Sequence, residues 1–303
     1  MKISGKFLRK FIPYRWYKLL ANGFIIVPKY YKDAIRELEQ CFDLSLEDHI
    51  NKDLMLIRKY GHIIDKGLHR EDVAPGHSKA FYNELKKLIE KVQRTEYADD
   101  PTVLWATEKL VRYESLQTAP EQFTPLRKES PVSHICFEQF EQLIKERRSN
   151  RCFADKPVTD DIVHKLKDVA NWAANSCNKQ PIRIFVANEQ NLAKACLKCC
   201  AGGTGFGDII PSFWCFTANV RGYVWPSEMY LPHIDTSLGA QNVFLAAQTL
   251  GITGTILTWG QHTQQDDKDL RRLLNIPNDY AIIFCAVMGY AEYGYLTPVR
   301  KRN

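Results

Sequence analysis

What is scarce in this 303-residue sequence narrows what the chain can do. Long apolar runs are missing. The best candidate, LLANGFIIVP at 19–28, is about half of the ~20 residues a bilayer-spanning helix needs, and Asn22, Gly23 and Pro28 interrupt it. It also lacks the small-residue cleavage site of a secretory signal. Paired cysteines are missing too. There are nine, an odd and scattered number, which does not make a disulfide framework, so the thiols are read as reduced and the compartment as cytoplasmic. Cys196, Cys199 and Cys200 raise a metal site, but no second Cys or His pair follows at ligand spacing, and no metal is expected. A net charge of +6 is too modest to argue for a nucleic-acid partner. No repeat of 20–50 residues is visible. No glycine-rich turn of the dinucleotide-binding kind stands at a strand–helix junction, and no triad or acid pair stands out.

The composition that remains is that of a globular protein, 45% apolar and 25% charged, and its patterning divides the chain in three. Residues 1–32 form an arm of basic and aromatic residues cut by Pro13 and Pro28. Lys2, Lys6, Arg9, Lys10, Arg15 and Lys18 lie among Phe7, Phe11, Tyr14, Trp16 and Tyr17. That mixture suits a shallow contact with an anionic membrane surface, and equally an arm packed across a dimer. Residues 33–132 read as helices and a linker. Phe81, Leu85, Leu88, Ile89 and Val92 make one helical stripe, and Val103, Leu104, Ala106, Leu110 and Val111 belong to another helix. The proline-rich stretch at 118–132 is the expected boundary.

Residues 133–303 alternate in type. Ser133 is placed to cap a helix that buries Phe137, Phe140, Leu143 and Ile144. Thr159 is placed to cap another, with Asp160 and Asp161 in its first turn and Ile162, Leu166, Val169 and Ala173 on its apolar face. IRIFVA, SFWCFTANV and YAIIFCAVMGY read as strands. DTSLGAQNVFLAAQTLGI reads as a helix apolar nearly all round, hence buried. The class is α+β or α/β, preceded by a helical region.

Four windows in this last part carry chemistry. The first is KERRSNRCF, where Lys145, Arg147, Arg148 and Arg151 are offset only by Glu146. Cations there suit the C-terminal end of a helix, and guanidinium forks equally suit phosphate oxygens. The second is AANSCNKQPIR, with Asn175, Ser176, Asn178 and Gln180 between a helix and a strand. The third is AAQTLGITGTILTWG, where Gly251 and Gly254 would end the helix and let backbone approach something flat. The fourth is the tail TPVRKRN.

In order, these windows resemble the nitroreductase family of FMN-dependent oxidoreductases, over about 135–303. The opening motif is matched at Arg147, Arg148, Ser149, Arg151, Phe153, Pro157 and Val158. The second is matched at Ser176, Asn178, Gln180, Pro181 and Arg183, with Ala174 and Ile182 where the family often has Pro and Trp. The third is matched at Asp235, Gln241, Asn242, Leu245, Ala246, Ala247, Leu250 and Gly251. The resemblance implies a nitroreductase-like FMN-binding α/β sandwich at 133–303. It implies that Arg147, Arg148, Ser149 and Arg151, joined by Arg300 or Arg302, hold the phosphate and ribityl chain. Asn175, Ser176, Asn178 and Gln180 would lie along the isoalloxazine, and Gly254, Thr255 and Thr258 near its reactive edge. Trp259 would pack nearby or belong to the core.

The implied activity is hydride transfer from NADH or NADPH through the flavin to a small-molecule acceptor, in a homodimer with FMN at the subunit interface. The segment RKYGHIIDKGLHREDVAPGHSK, together with GTGFGDIIP, resembles an extended branch of the family associated with bacterial surface-polysaccharide gene sets. There His62, Asp65 and Lys66 are either a polar substrate element or an inter-helix network. Two further readings stay open: a flavin-dependent dehydrogenase of another type, and a non-catalytic flavin-binding scaffold in a glycan-assembly complex, which Ala174 and Ile182 would favour.

Overall fold

The computed structural model of the chain describes residues 13–21, 23–24, 28, 48–125 and 132–294. Most of the N-terminal arm, part of the expected linker, and Arg300 and Arg302 lie outside the described residues. Of the arm, a short helix α1 (Tyr14–Ala21) is described, with Trp16, Leu19 and Leu20 exposed. No helix among the described residues is long and apolar enough to cross a membrane.

Three helices make the N-terminal region: α2 (Ile50–Leu68), α3 (Lys79–Val92) and α4 (Pro101–Thr118). Their starts are locally encoded. His49 accepts a hydrogen bond from the Asn51 N–H at the head of α2. Asp100 accepts one from the Thr102 N–H at 2.7 Å with Pro101 at the first helical position, a combination that satisfies one orphan donor and needs no N–H from the proline. Leu54, Ile57, Ile64 and Leu68 of α2 close a core with Leu85, Ile89 and Val92 of α3 and Val103, Ala106 and Leu110 of α4. The expected stripes are narrower than the sequence suggested. Phe81 of α3 is exposed, and so are Leu104 and Val111 of α4, because each helix meets its neighbours only along one arc.

The second domain is a four-stranded antiparallel sheet of β1 (Ile182–Ala187), β2 (Ser212–Asn219), β3 (Ile252–Thr258) and β4 (Tyr280–Tyr290), in spatial order β1-β2-β4-β3. The three expected strands are present. The fourth, β3, occupies the window read as a glycine turn. Gly251, at φ +74°, supplies the left-handed turn after the helix. Gly254 lies inside the strand, opposite Met288.

Helices cover both faces of the sheet, so successive residues of a strand serve two cores. Phe213 and Cys215 pack on the face covered by α7 (Gln190–Lys198) and α9 (Gln264–Leu274), while Trp214 and Phe216 pack under α6 (Asp160–Asp168) and α8 (Leu231–Thr249). This two-sided burial explains why β2 reads as a continuous apolar run rather than an alternating one. Thr159 stands at the N-cap of α6, though its side chain makes no capping hydrogen bond, and Asp160 and Asp161 occupy the first turn.

Two expectations about burial are overturned. Helix α5 spans Phe137–Glu146, its N-cap is Cys136 rather than Ser133, and none of its residues is buried among the described residues. Phe137 is 72% exposed, and Phe140 and Ile144 are exposed as well. Helix α8 is buried along one side only, by Asp235, Thr236, Gly239, Ala240, Val243, Phe244 and Ala247, while Ile234 and Leu238 face out. The outward side of α8 is therefore an exposed face with apolar side chains and not a second buried one.

Gly239 shows how tightly the covered side is seated. A Cβ there would lie 2.2 Å from Ile182 Cδ1 and 2.6 Å from the Ala170 carbonyl oxygen. Backbone cannot yield as a side chain can, so Gly239→Ala should destabilise the domain by about 1–3 kcal/mol. Chemical denaturation of the variant beside the parent chain tests this, and equal midpoints would show that α8 shifts freely.

Candidate functional site

The cationic window and the amide window lie at opposite edges of the sheet. Residues 147–151 follow α5 and run along β3. The Thr253 hydroxyl donates to the Arg148 carbonyl at 2.9 Å and the buried Thr255 hydroxyl donates to the Asn150 carbonyl at 2.6 Å. This pins the 147–151 segment beside Thr253, Gly254 and Thr255, and leaves Thr258 further along the strand. Arg147 and Arg148 are half-buried, and Ser149 and Arg151 are exposed. The Arg151 guanidinium makes no hydrogen bond or ion pair among the described residues. Glu146, Arg148, Asn150, Gln248 and Thr253 line a small cavity of about 160 Å³ here.

Asn175, Ser176, Asn178 and Gln180 lead into β1. The turn is held in an unusual shape, with Cys177, Asn178 and Gln180 at φ +53°, +55° and +50°. Left-handed backbone suits asparagine and strains most other side chains. Side chains support the strain. Asn175 Oδ1 accepts from the Gln180 N–H at 2.9 Å, and Gln180 Nε2 donates to Asn178 Oδ1 at 3.1 Å. Buried Asp235, on α8, accepts from both the N–H and the hydroxyl of Ser176 and from the Tyr223 hydroxyl at 2.7 Å. Asp235 and Tyr223 are therefore positioning residues for this turn. Asp235 carries a motif match in the sequence, but nothing local to Tyr223 marks it.

A buried ionic cluster fixes the same turn from behind. Lys179 is fully buried, its Nζ 2.6 Å from Glu228 Oε1 and 4.5 Å from the centre of the Tyr223 ring. Lys59, from α2, reaches the same Glu228 oxygen at 3.3 Å. Burial lowers the Lys179 pKa despite the favourable Glu228 contact. Burial also pushes Glu228 up, but the two lysines overcome it and hold its carboxyl below the ordinary value. Through Lys59, the Arg58 contact to the Lys179 carbonyl at 3.4 Å, and the Asn51 contact to Asp279 at 3.3 Å, the helical region is bonded to the site-bearing domain. Met55 completes the junction against Gly222, where a Cβ would lie 2.5 Å from the methionine methyl.

The other sequence candidates sort cleanly. Gly254 is dictated by packing, since a Cβ would meet Met288 Cγ at 2.7 Å and the Val287 carbonyl at 2.8 Å. Trp259 is a core residue, 5% exposed and stacked on His262. Asp65 pairs with Lys109 of α4 at 3.4 Å, with His69 at 3.8 Å, and Lys66 is exposed. For Asp65 this is the inter-helix arrangement. No cluster among the described residues is fit to hold a metal ion. Burial pushes the Cys196 thiol up to about 12 and Cys199 up to about 11, so these are protonated core groups.

The donor set fits a flavin mononucleotide at both ends. Guanidinium and hydroxyl groups are the donors a phosphate and polyol need, and an amide-rich turn offers the donors and acceptors that suit a flat heterocycle. Pinned strand register separates the two ends within one chain. Across the sheet, β1 and β3 are three strand spacings apart, roughly 14 Å. Along it, Ile182 is level with the start of β4 through Ala218 and Ala281, whereas Thr253 is level with Gly289 near its end.

Comparison with known proteins agrees with the motif order. Residues 144–204 match the sequence model of the nitroreductase family. A protein of Archaeoglobus fulgidus, provisionally named NADH dehydrogenase/NAD(P)H nitroreductase, is 27% identical over 154 residues, which are 50% of this chain and 84% of that protein. One of the same provisional name from Rhodopseudomonas palustris is 26% identical over 145 residues, 42% of this chain and 74% of its own. Among solved structures, an FMN-dependent nitroreductase of Clostridium difficile is 20% identical with a TM-score of 0.45, covering 52% of this chain and 90% of that one. The family match falls within the α/β domain and leaves helices α2, α3 and α4 outside it.

Proposed function

We propose that this chain is an FMN-dependent NAD(P)H oxidoreductase of nitroreductase type, acting as a homodimer on a small-molecule acceptor. The observation that carries the reading is the family match over 144–204, which contains both the cationic segment pinned to β3 and the amide turn leading into β1. Bound FMN supplies hydride acceptance and donation, which the protein's side chains do not themselves offer. Arg147, Arg148, Ser149 and Arg151 hold its phosphate and polyol, with Arg300 or Arg302 of the tail joining them. Ser176, fixed by Asp235, and Asn178, fixed by Gln180, orient the ring system of a flavin bound by the other subunit. The backbone of 254–258 approaches the edge of the flavin held by its own subunit.

Two features support the dimer. The phosphate end and the ring end of the site are at distant corners of one sheet, too far apart for a single mononucleotide to touch both. The exposed apolar side chains Phe137, Phe140 and Ile144 of α5 and Ile234 and Leu238 of α8 lie on helices that pack together, forming a patch of the kind that marks an interface. A role in surface-polysaccharide biosynthesis is the narrower part of the proposal and rests on the resemblance of residues 58–79 and 203–211 alone. Shallow membrane contact through the N-terminal arm is proposed on its basic and aromatic composition.

The purified full chain should be yellow, release FMN and not FAD on denaturation, and sediment as a dimer. A colourless protein that also fails to take up added FMN would sink the reading. A yellow monomer would remove only the shared-site arrangement.

A further inference from the structure

Between the helical region and the amide turn is a cavity of about 420 Å³ that the reading above does not use. This is within the range of small-ligand pockets. Its walls come from both parts of the chain: Arg58 of α2, Thr102 and Trp105 of α4, and Trp172, Asn178 and Gln180 of the second domain. The two tryptophans offer flat apolar surface. Trp172 is 86% exposed at the described surface, an unusual placement for the largest aromatic side chain. Trp105 lies against Gly61, where a Cβ would come within 2.6 Å of its ring. Glycine within a helix costs about 1 kcal/mol relative to alanine, and here it gives the indole room.

Arg58 is the polar feature of this cavity. Among the described residues its one hydrogen bond is the 3.4 Å contact to the Lys179 carbonyl, and none of their carboxylates is within ion-pair distance. Asp100 and Tyr280 act on it only at longer range, the Asp100 carboxylate being engaged in capping α4. Burial lowers the Arg58 pKa, as expected of a cation that has lost water without gaining a counter-ion. A guanidinium remains charged under such conditions. Asn178 and Gln180, which also line the cavity, belong to the turn assigned to the flavin ring.

We infer that this cavity binds the acceptor substrate, a planar aromatic molecule carrying a carboxylate or similar anionic group, with Arg58 pairing to the anion and Trp105 and Trp172 flanking the ring. The helical region is then a specificity element, bringing a cation to the flavin domain across the Lys59–Glu228–Lys179 junction. The substrate class rests on the flavin reading, but the pocket itself does not. An aromatic pair accounts for the ring, and a charge-assisted hydrogen bond in a partly desolvated site accounts for the anion.

The test uses 4-nitrobenzoate and its neutral counterpart 4-nitrobenzyl alcohol, titrated calorimetrically into the full-length protein with FMN and after FMN removal. The parent chain should bind the anion more tightly. Arg58→Ala should weaken 4-nitrobenzoate by roughly ten- to hundredfold and the alcohol by less than about threefold, with flavin content unchanged. Trp172→Ala removes an exposed ring that the fold does not need, and it should weaken both ligands about equally. The inference is overturned if Arg58→Ala affects both ligands alike or neither, if Arg58→Ala strips the flavin, or if Trp172→Ala changes nothing. A protein that cannot take up FMN yet binds 4-nitrobenzoate through Arg58 would refute the oxidoreductase reading and keep the pocket. A flavoprotein without the anion preference would do the reverse.

Discussion

Replacing Glu228 with alanine should lower the stability of the protein by about 3–5 kcal/mol, the usual cost of removing one partner from a buried ionic group. The reason is that the glutamate serves two cations. Lys179 is fully buried and Lys59 nearly so, and both reach the same Glu228 oxygen. Its second oxygen accepts from the Val224 and Trp225 N–H groups at 3.0 and 3.3 Å. Alanine would leave two desolvated ammonium groups facing each other and two backbone donors unpaired. Denaturant unfolding of Glu228→Ala measures the loss, and a change below about 1 kcal/mol would mean that water reaches the cluster. The pH dependence follows from the lowered Glu228 pKa. Its contribution is fully present above the ordinary value of 4.5 and is lost as pH falls through the lower folded value. Glu228→Gln should therefore flatten the acid limb of the stability profile relative to the parent chain.

Arg151→Ala should weaken FMN binding by roughly ten- to hundredfold. A hydrogen bond to a charged group contributes about 1.5–3 kcal/mol, and every 1.4 kcal/mol is about a factor of ten. Arg151 is the informative choice within the cluster because its guanidinium is exposed and makes no hydrogen bond or ion pair among the described residues, so its removal leaves no internal partner unsatisfied. The unfolding midpoint of the flavin-free protein should not move. Fluorescence titration of the apoprotein with FMN gives the affinity directly. An unchanged dissociation constant would make this residue a solvated surface cation and shift the phosphate site toward Arg147, Arg148 or the tail.

The motif windows were readable because each depends on local chemistry. Arginines and serine follow a helix end, Asn178 tolerates its left-handed backbone, and Gly251 ends α8 at positive φ. What the sequence concealed was relational. Gly254 looked like an opening for a ligand, yet it is a strand residue pressed against Met288 and Val287, because a glycine in a strand looks the same whether a ligand or a neighbouring strand needs the space. The apolar residues of α5 matched the helical period of a buried face and turned out exposed, since periodicity records that a face must be covered and not by what.

The sequence by itself determined the α+β class, three of the four strands, and the helices α3, α4, α5, α6 and α8. These depend on hydrophobic period, capping chemistry and side-chain type, all written within a few residues of one another. Tertiary structure alone decided that the cationic segment and the amide turn stand at opposite corners of one sheet. It also decided that Asp235 and Tyr223 hold Ser176, and that Arg58 and Trp105 face a turn more than a hundred positions further along the chain in the case of Arg58. Such placements arise from strand order and from packing of surfaces distant in sequence, and no local window contains the partner that fixes them.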